Sequence, residues 1–178
     1  MNRFVRALAA CSLLLCAASA PLAQDQTQPP ATQTAAAPSA PAVPARAEGK
    51  AVVVIYRPGK LVGKALEPSV FVDDVEVGRM DNDRYIVLLL EPGEHRIHMT
   101  QKNKRVDVKL GAGEVAFVRI KIVMGLMKGR GEPSLTDEED AAKHLKGMEP
   151  LGADKYKNTT LAVVDKAEAE AIVRKYAP

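Results

Sequence analysis

The stretch SVFVDDVEVGRM, residues 69–80, places two adjacent aspartates between two short runs rich in valine. Alternating β-branched residues predict two strands, and the pair between them predicts a two-residue hairpin turn. Such a turn needs positive φ at both positions and favours Asp-Gly, whereas this chain has Asp73 and Asp74. We interpret both carboxylates as turn residues. The alternatives are an ion site and a catalytic pair.

The strand pattern continues on both sides of this hairpin. Upstream, AVVVIYR (residues 51–57) is a β-branched run ended by Pro-Gly. Downstream, residues 84–93 form another apolar run, and residues 94–102, 104–110 and 115–123 alternate apolar and polar side chains. Short strands separated by Gly and Pro predict a mainly β chain, a β-sandwich of about seven short, mostly antiparallel strands. The turn positions assigned from the pattern are Asp73, Asp74, Gly78, Pro92 and Gly93.

One or two helices are predicted at the C-terminal end. Thr136 is the expected N-cap of the first, with Glu139 completing a capping box and Gly147 ending the helix. Asp165 is the expected N-cap of the second, whose apolar positions fall on one face that would pack on the sheet. Residues 159–165 predict one more strand between the helices.

The N-terminal segment has the pattern of a secretory signal. Arg3 and Arg6 precede an uncharged apolar stretch at residues 7–18, and cleavage is expected after Ala20 or Ala23. We therefore predict a signal peptide at 1–23, a Pro/Ala-rich disordered linker at 24–49 and a folded domain at 50–178. Cys11 offers the minor alternative of a lipoprotein anchor, against which the apolar residues continue beyond it.

The composition argues against a disulfide-stabilised domain and against a nucleic-acid-binding protein. Both cysteines, Cys11 and Cys16, lie in the signal segment, so the mature domain has no disulfide to stabilise it. The net charge is +3, and removing Arg3 and Arg6 leaves 23 basic against 22 acidic residues, or +1. With 4% aromatic residues and no Trp, the chain lacks the basic face and the stacking residues of a nucleic-acid-binding protein.

No cofactor or metal site is expected from the motifs. DNDR, residues 81–84, fails the EF-hand pattern because Ile86 stands where glycine is required, so it is interpreted as a turn with Asn82 in the unusual conformation. His95 and His98 would face opposite sides of a strand, which argues against a shared metal, and His95 is expected to bind a backbone group. Neither Ser69, entering a strand, nor Ser134, expected just before a helix, sits in a nucleophile motif.

MGLMKGRGEP, residues 124–133, is the predicted loop with the strongest binding character. Its apolar and basic side chains would contact a membrane surface or a partner groove, together with two exposed basic positions on the preceding strand. The interpretation favoured over this contact surface is that the methionines cap one end of the core. The residues of this possible interaction surface are Met124, Leu126, Met127, Lys128, Arg130, Arg119 and Lys121.

The order of these motifs resembles a bacterial family known as domain of unknown function 2846. The resemblance covers residues 51–151 and rests on YRP at residues 56–58, on Pro68, on Val-Asp at 72–73, on Val-Gly at 77–78, and on Tyr85 followed by PGEH at 92–95. The segment also resembles the PEGA repeat, a small surface-layer β domain. The resemblance implies an exported β-rich protein without established activity, and it carries no catalytic residues.

These observations predict an exported, non-catalytic protein of the periplasm or outer envelope, a binding or structural module. Its expected partners are an envelope protein, an anionic envelope polymer or a membrane surface, and not a nucleic acid. The alternative function is an enzyme, or an accessory subunit, that acts on envelope glycans through Asp73, Asp74, Asp81 and Asp83. That alternative requires two of these carboxylates to face each other across a pocket.

Overall fold

The structure is a computed structural model that describes residues 49–125, 129–158 and 163–178. The predicted signal peptide and all but the last residue of the predicted linker lie outside these residues. In chain order the elements are β1 (Ala51–Arg57), β2 (Ser69–Val72), β3 (Val75–Arg79), β4 (Arg84–Leu90), β5 (Gly93–Met99), β6 (Arg105–Leu110), β7 (Val115–Met124), β8 (Gly129–Thr136), α1 (Glu138–Leu145), β9 (Glu149–Pro150), a short 3-10 helix (Ala153–Lys155) and α2 (Lys166–Tyr176).

The described strands form two sheets, which confirms the predicted sandwich. The first sheet has the order β8-β7-β1-β4-β9, and the second has the order β3-β2-β5-β6. β1 lies at the centre of the first sheet, antiparallel to β4 and parallel to β7. The pairing of β4 with β9 is also parallel, whereas the remaining pairs are antiparallel.

The main core lies between the two sheets. Alternate residues of β1 and β4, such as Val53, Ile55 and Leu88, contribute from the first sheet, and Val70 and Ile97 contribute from the second. Each of these side chains is completely buried. The alternation predicted for residues 104–110 and 115–123 is confirmed, because the apolar face of each strand joins this core.

A second apolar layer covers the outer face of the first sheet. The opposite face of β1, including Val52 and Val54, packs with Leu145 of α1 and with Ile172 and Val173 of α2. Both faces of β1 are therefore buried, which explains why its sequence is a continuous apolar run and not an alternating one. The domain has three layers: the second sheet, the first sheet and the helices.

β8 is a strand that the sequence pattern did not predict. Residues 129–136 pair along β7, so most of the expected loop at 124–133 is strand, and Ser134 lies within it. Residues 126–128 of that expected loop lie outside the described residues. Thr136, the expected N-cap of α1, is the last residue of β8 and pairs with Phe117. Asp137 caps the helix instead, with its carboxylate accepting from the Asp140 amide at 2.7 Å.

Three other expectations concern the termini of elements. Asp165 caps α2 as predicted, and Gly147 follows α1 with a φ of 82°. Gly78 is not a turn residue: it lies inside β3, and a Cβ there would fall 2.7 Å from the Lys155 carbonyl oxygen. Of the strand expected at 159–165, Val163 forms an isolated bridge to Leu88, and residues 159–162 lie outside the described residues.

Candidate functional site

The Asp73-Asp74 pair forms the β2–β3 turn, as predicted. Both residues have positive φ, 51° and 64°, and this places the strands on either side in hairpin register. Asp73 accepts hydrogen bonds from the Arg96 amide at 2.9 Å and from the His95 ring at 2.7 Å. Asp74 accepts a hydrogen bond from Lys102 Nζ at 2.5 Å, a partner that no motif predicts. Its pKa is lowered, first by the hydrogen bond from Lys102.

The two histidines of β5 bind different aspartates. His95 bonds with Asp73 through Nδ1 and with the Glu91 carbonyl through Nε2, both at 2.7 Å, which confirms the expected backbone partner. Burial lowers the pKa of His95, but its bonds with Asp73 and Glu91 outweigh burial and leave the pKa raised. His98 lies 3.3 Å from Asp74. Within the described ranges, no three His, Cys, Asp or Glu side chains are grouped to hold a metal ion.

The turn at residues 81–84 holds the segment that follows β1. Asp83, not Asn82, carries the positive φ of 60°. Its carboxylate accepts from the Gly59 amide at 3.2 Å, and the Asn82 side-chain oxygen accepts from the Lys60 amide at 3.1 Å. This pair of side chains therefore has a structural role, which is to fix the course of the chain beyond Arg57.

The four carboxylates of the glycan-cleaving alternative are not brought together. Asp73 and Asp74 lie on the β2–β3 turn, whereas Asp81 and Asp83 lie on the β3–β4 turn. Each accepts a hydrogen bond from a neighbouring amide or side chain. These four carboxylates therefore lie on two separate turns and are each bound by a nearby donor, whereas glycoside hydrolysis requires two carboxylates that face each other.

Arg57, the last residue of β1, holds the loop at residues 58–68 through hydrogen bonds to its carbonyl oxygens. Its side chain is 1% exposed, and it donates to the carbonyls of Met80 at 3.0 Å and Gly63 at 2.7 Å, and to that of Leu66. Burial lowers the pKa of this guanidinium. Three carbonyl oxygens bind its two terminal nitrogens in place of a carboxylate, whereas the buried Nε makes no hydrogen bond within the described residues. The two terminal nitrogens keep these partners only while the loop keeps its shape.

The loop thus fixed presents two large apolar side chains to solvent. Leu61 is 91% exposed and Val62 is 65% exposed, and these are the highest values among the large apolar residues in the described ranges. Gly63, with φ of 78°, lies so close to β7 that a Cβ would fall 2.6 Å from Ile122 Cγ2. The loop therefore runs beside the end of β7, where Met124 is 57% exposed.

Three lysines accompany these apolar residues. Lys60 and Lys64 flank the Leu-Val pair, and Lys121 projects from the end of β7; all three are exposed. None of them forms an ion pair within the part of the chain that the structure describes. We call this set the apolar–basic surface; its members are Leu61, Val62, Met124, Lys60, Lys64 and Lys121.

Two of the seven interaction residues predicted from the sequence belong to this surface. Met124 and Lys121 belong to it, and the exposure of Met124 contradicts the idea that this methionine caps the core. Arg119 is not the exposed cation that we expected: its side chain is 19% exposed and binds Asp140 at 2.8 Å. Arg130 pairs with Glu132 at 3.0 Å. Leu126, Met127 and Lys128 lie outside the described residues.

A cleft of about 200 Å³ adjoins the apolar–basic surface on the helical side of the first sheet. We call it the Arg119 cleft. The side of α1 contributes His144, and the chain after β1 contributes Pro58 and Lys60. The residues that line it are Arg57, Pro58, Lys60, Asn82, Arg119, Ile120, Lys121, Ile122, Val123 and His144.

Sequence reasoning missed Leu61, Val62 and the Arg119 cleft. The signal for the first was present in GKLVGK, residues 59–64, where two aliphatic residues stand between glycines and lysines in a segment too short to form a core strand. The cleft had no local signal, because its residues come from β7, α1 and two separate turns.

Residues 47–132 match the model of the family described as "Protein of unknown function (DUF2846)", which confirms the resemblance predicted from the motifs. An uncharacterized protein of Haemophilus influenzae is 26% identical over 100 residues. That alignment covers 55% of this chain and 59% of the relative, so the chain spans less than two thirds of the relative's length. No solved structure matches the chain. The likeness to the PEGA repeat stays a prediction.

Proposed function

We propose that this chain is an exported, non-catalytic binding module that docks on an anionic membrane surface of the bacterial envelope. The apolar–basic surface is the docking site. The observation that carries the proposal is the exposure of Leu61 and Val62 between lysines that have no ion pair in the described residues. The signal-like N-terminal sequence supports export.

Peripheral membrane binding needs apolar side chains that enter the interface and cations that attract anionic lipids. Full burial of Leu61 and Val62 would contribute about 1.5–3 kcal/mol each. Each of the three lysines near an anionic surface would add about 1 kcal/mol. Within the described residues no helix is long and apolar enough to cross a membrane. The side chains proposed to dock come from the loop at residues 58–68 and from β7.

The loop is suited to this role because it is held in shape before it binds. Arg57 fixes the carbonyls of Gly63 and Leu66, and Asp83 and Asn82 fix the amides of Gly59 and Lys60. A segment that is already ordered loses little conformational entropy on docking, so more of its apolar and electrostatic contribution is retained as affinity.

The chain contains no Trp, which allows a direct test of the docking site. Leu61→Trp gives the full chain a single tryptophan, at the position expected to enter the bilayer. With vesicles that contain phosphatidylglycerol, we expect its emission to shift to the blue and to be quenched by brominated lipid chains. An unchanged emission spectrum on these vesicles would contradict the proposal.

The matched control is Leu135→Trp. Leu135 is 57% exposed, as Met124 is, but it lies near the far end of β8, about 20 Å along the strand from Gly129. Its emission should not respond to the vesicles, even if another part of the chain holds the protein to them. A blue shift of Leu61→Trp with envelope protein extract but not with lipid would assign the surface to a protein partner and reject membrane docking.

A further inference from the structure

The Arg119 cleft contains Arg119 and His144, which have no part in the proposed membrane docking. Arg119 projects from β7, and its Nη1 donates to Asp140 Oδ2 at 2.8 Å. The same carboxylate oxygen lies 3.3 Å from the Tyr56 hydroxyl, which also bonds with Thr136 at 3.1 Å. Asp140, in the first turn of α1, therefore orients one edge of the guanidinium. The second amino group, Nη2, makes no hydrogen bond within the described residues.

His144 lies beside Arg119 at the wall of the cleft. Its Nε2 is 3.4 Å from Arg119 Nη1 and 3.8 Å from Asp140 Oδ1, and its ring centroid is 6.2 Å from that of Tyr56. The histidine side chain is 37% exposed. It is thus held against the polar cluster and still reachable from the cleft.

The chain after β1 and the later part of β7 supply further donors to the cleft. Lys60 and Lys121 are exposed and have no ion pair in the parts of the chain that are described. The Asn82 side-chain oxygen is occupied by the Lys60 amide, which leaves its NH₂ group as a donor. The neighbouring carboxylates of Asp81 and Asp83 accept from the backbone amides of Asn82 and Gly59.

We propose that the Arg119 cleft binds a phosphate group. Arginine presents donors in a fixed fork that matches phosphate oxygens, and lysine adds a compact positive charge. The residues that line the cleft include two arginines and two lysines and no carboxylate, so the lining carries a net positive charge. The nearby carboxylates of Asp140, Asp81 and Asp83 each accept a hydrogen bond from a neighbouring donor. Pro58 and Val123 add apolar surface beside these donors, and small-molecule sites commonly combine apolar surface with a few polar groups.

The same chemistry fits a soluble phosphate ester and the phosphate of a lipid headgroup. Lys60 and Lys121 belong both to the cleft and to the apolar–basic surface, so a headgroup would reach the cleft from a docked membrane. The phosphate site does not depend on docking, because its donors are in place without a membrane.

The test follows the ring resonances of His144 by NMR while the full chain is titrated with glycerol 3-phosphate. The chain has three histidines, so the signals can be assigned by substitution. We expect a saturable shift of His144, with no comparable shift at equal ionic strength of sodium chloride. In the double variant Lys60→Gln, Lys121→Gln, which alters exposed residues, the dissociation constant should rise at least tenfold. The control Lys109→Gln on β6 should bind as the parent chain does.

The source of the phosphate is assigned by a second titration with vesicles that contain phosphatidic acid. A saturable His144 shift with glycerol 3-phosphate supports a soluble ester, and a shift with the vesicles alone supports a headgroup. A shift with neither, or equal affinity in the double lysine variant, would overturn the proposal. Leu61→Asp should weaken vesicle binding without changing the glycerol 3-phosphate titration, so failure of docking and failure of the phosphate site remain distinguishable.

Discussion

Replacement of Arg57 by methionine tests how the docking loop is held. Methionine keeps much of the side-chain length but donates no hydrogen bond, so the carbonyls of Gly63, Leu66 and Met80 lose their donor. Hydrogen bonds to charged groups contribute about 1.5–3 kcal/mol each. The loop can partly open and admit water to its carbonyls, which reduces the loss. We expect the free energy of unfolding to fall by about 3–5 kcal/mol, which is less than the full contribution of three such hydrogen bonds.

The assay is equilibrium unfolding in urea, with amide hydrogen exchange across residues 59–66 as a second measurement. Exchange in the loop should accelerate more than exchange in β4, because the lost bonds connect the loop to β1. The matched control is Arg84→Met. Arg84 is the register partner of Arg57 on β4, but it is partly exposed and pairs with Glu149 at 3.1 Å.

Surface ion pairs contribute about 0–1 kcal/mol, so Arg84→Met should have little effect on unfolding. If Arg57→Met costs no more than this control, the buried guanidinium does not hold the loop, and the reasoning is refuted. Equal loop exchange in both variants would lead to the same conclusion.

Three other substitutions have defined outcomes. Gly78→Ala should lower the free energy of unfolding by about 1–3 kcal/mol, because the added Cβ would fall 2.7 Å from the Lys155 carbonyl oxygen; an unchanged urea midpoint would contradict this. Asp74→Gly relieves a left-handed residue but removes the ion pair with Lys102, so its thermal midpoint relative to the parent should be higher in ~1 M salt, where the pair is screened, than in low salt. Because the pKa of His95 is raised in the folded state, its stabilising contribution is complete below about pH 6.5 and is lost as the pH rises through the folded pKa. The stability advantage over His95→Gln should therefore shrink as the pH rises above about 6.5, and an advantage that grows with pH would reverse the assigned sign.

The fold was largely predictable because its strands carry strong local patterns. The β-branched run of β1, the Asp-Asp turn and the alternation of β6 and β7 identify their elements without tertiary information. β8 was missed because GRGEPSLT contains two glycines and a proline, which are typical of a loop. It forms because β7 offers a long partner and because an edge strand tolerates Pro133.

The candidate sites were less predictable than the fold. Arg119 has the same place in the alternating pattern as Lys121, yet α1 packs over one and leaves the other exposed. The sequence of β7 does not indicate where α1 packs. Likewise, the partners of Asp74 come from β5 and from the loop after it, and a turn motif cannot identify them.

The position of β1 has a consequence for the order in which the domain can fold. This strand is the first of the described elements, but its neighbours are β4 and β7, and β7 begins only at Val115. A nascent chain that stops before β7 leaves one edge of its most apolar strand open to wrong partners. Folding of the first sheet must wait for long-range pairing, which is slow compared with local hairpin formation. The hairpin of β2 and β3 can form early, whereas the central strand, although synthesised before it, is completed only near the end.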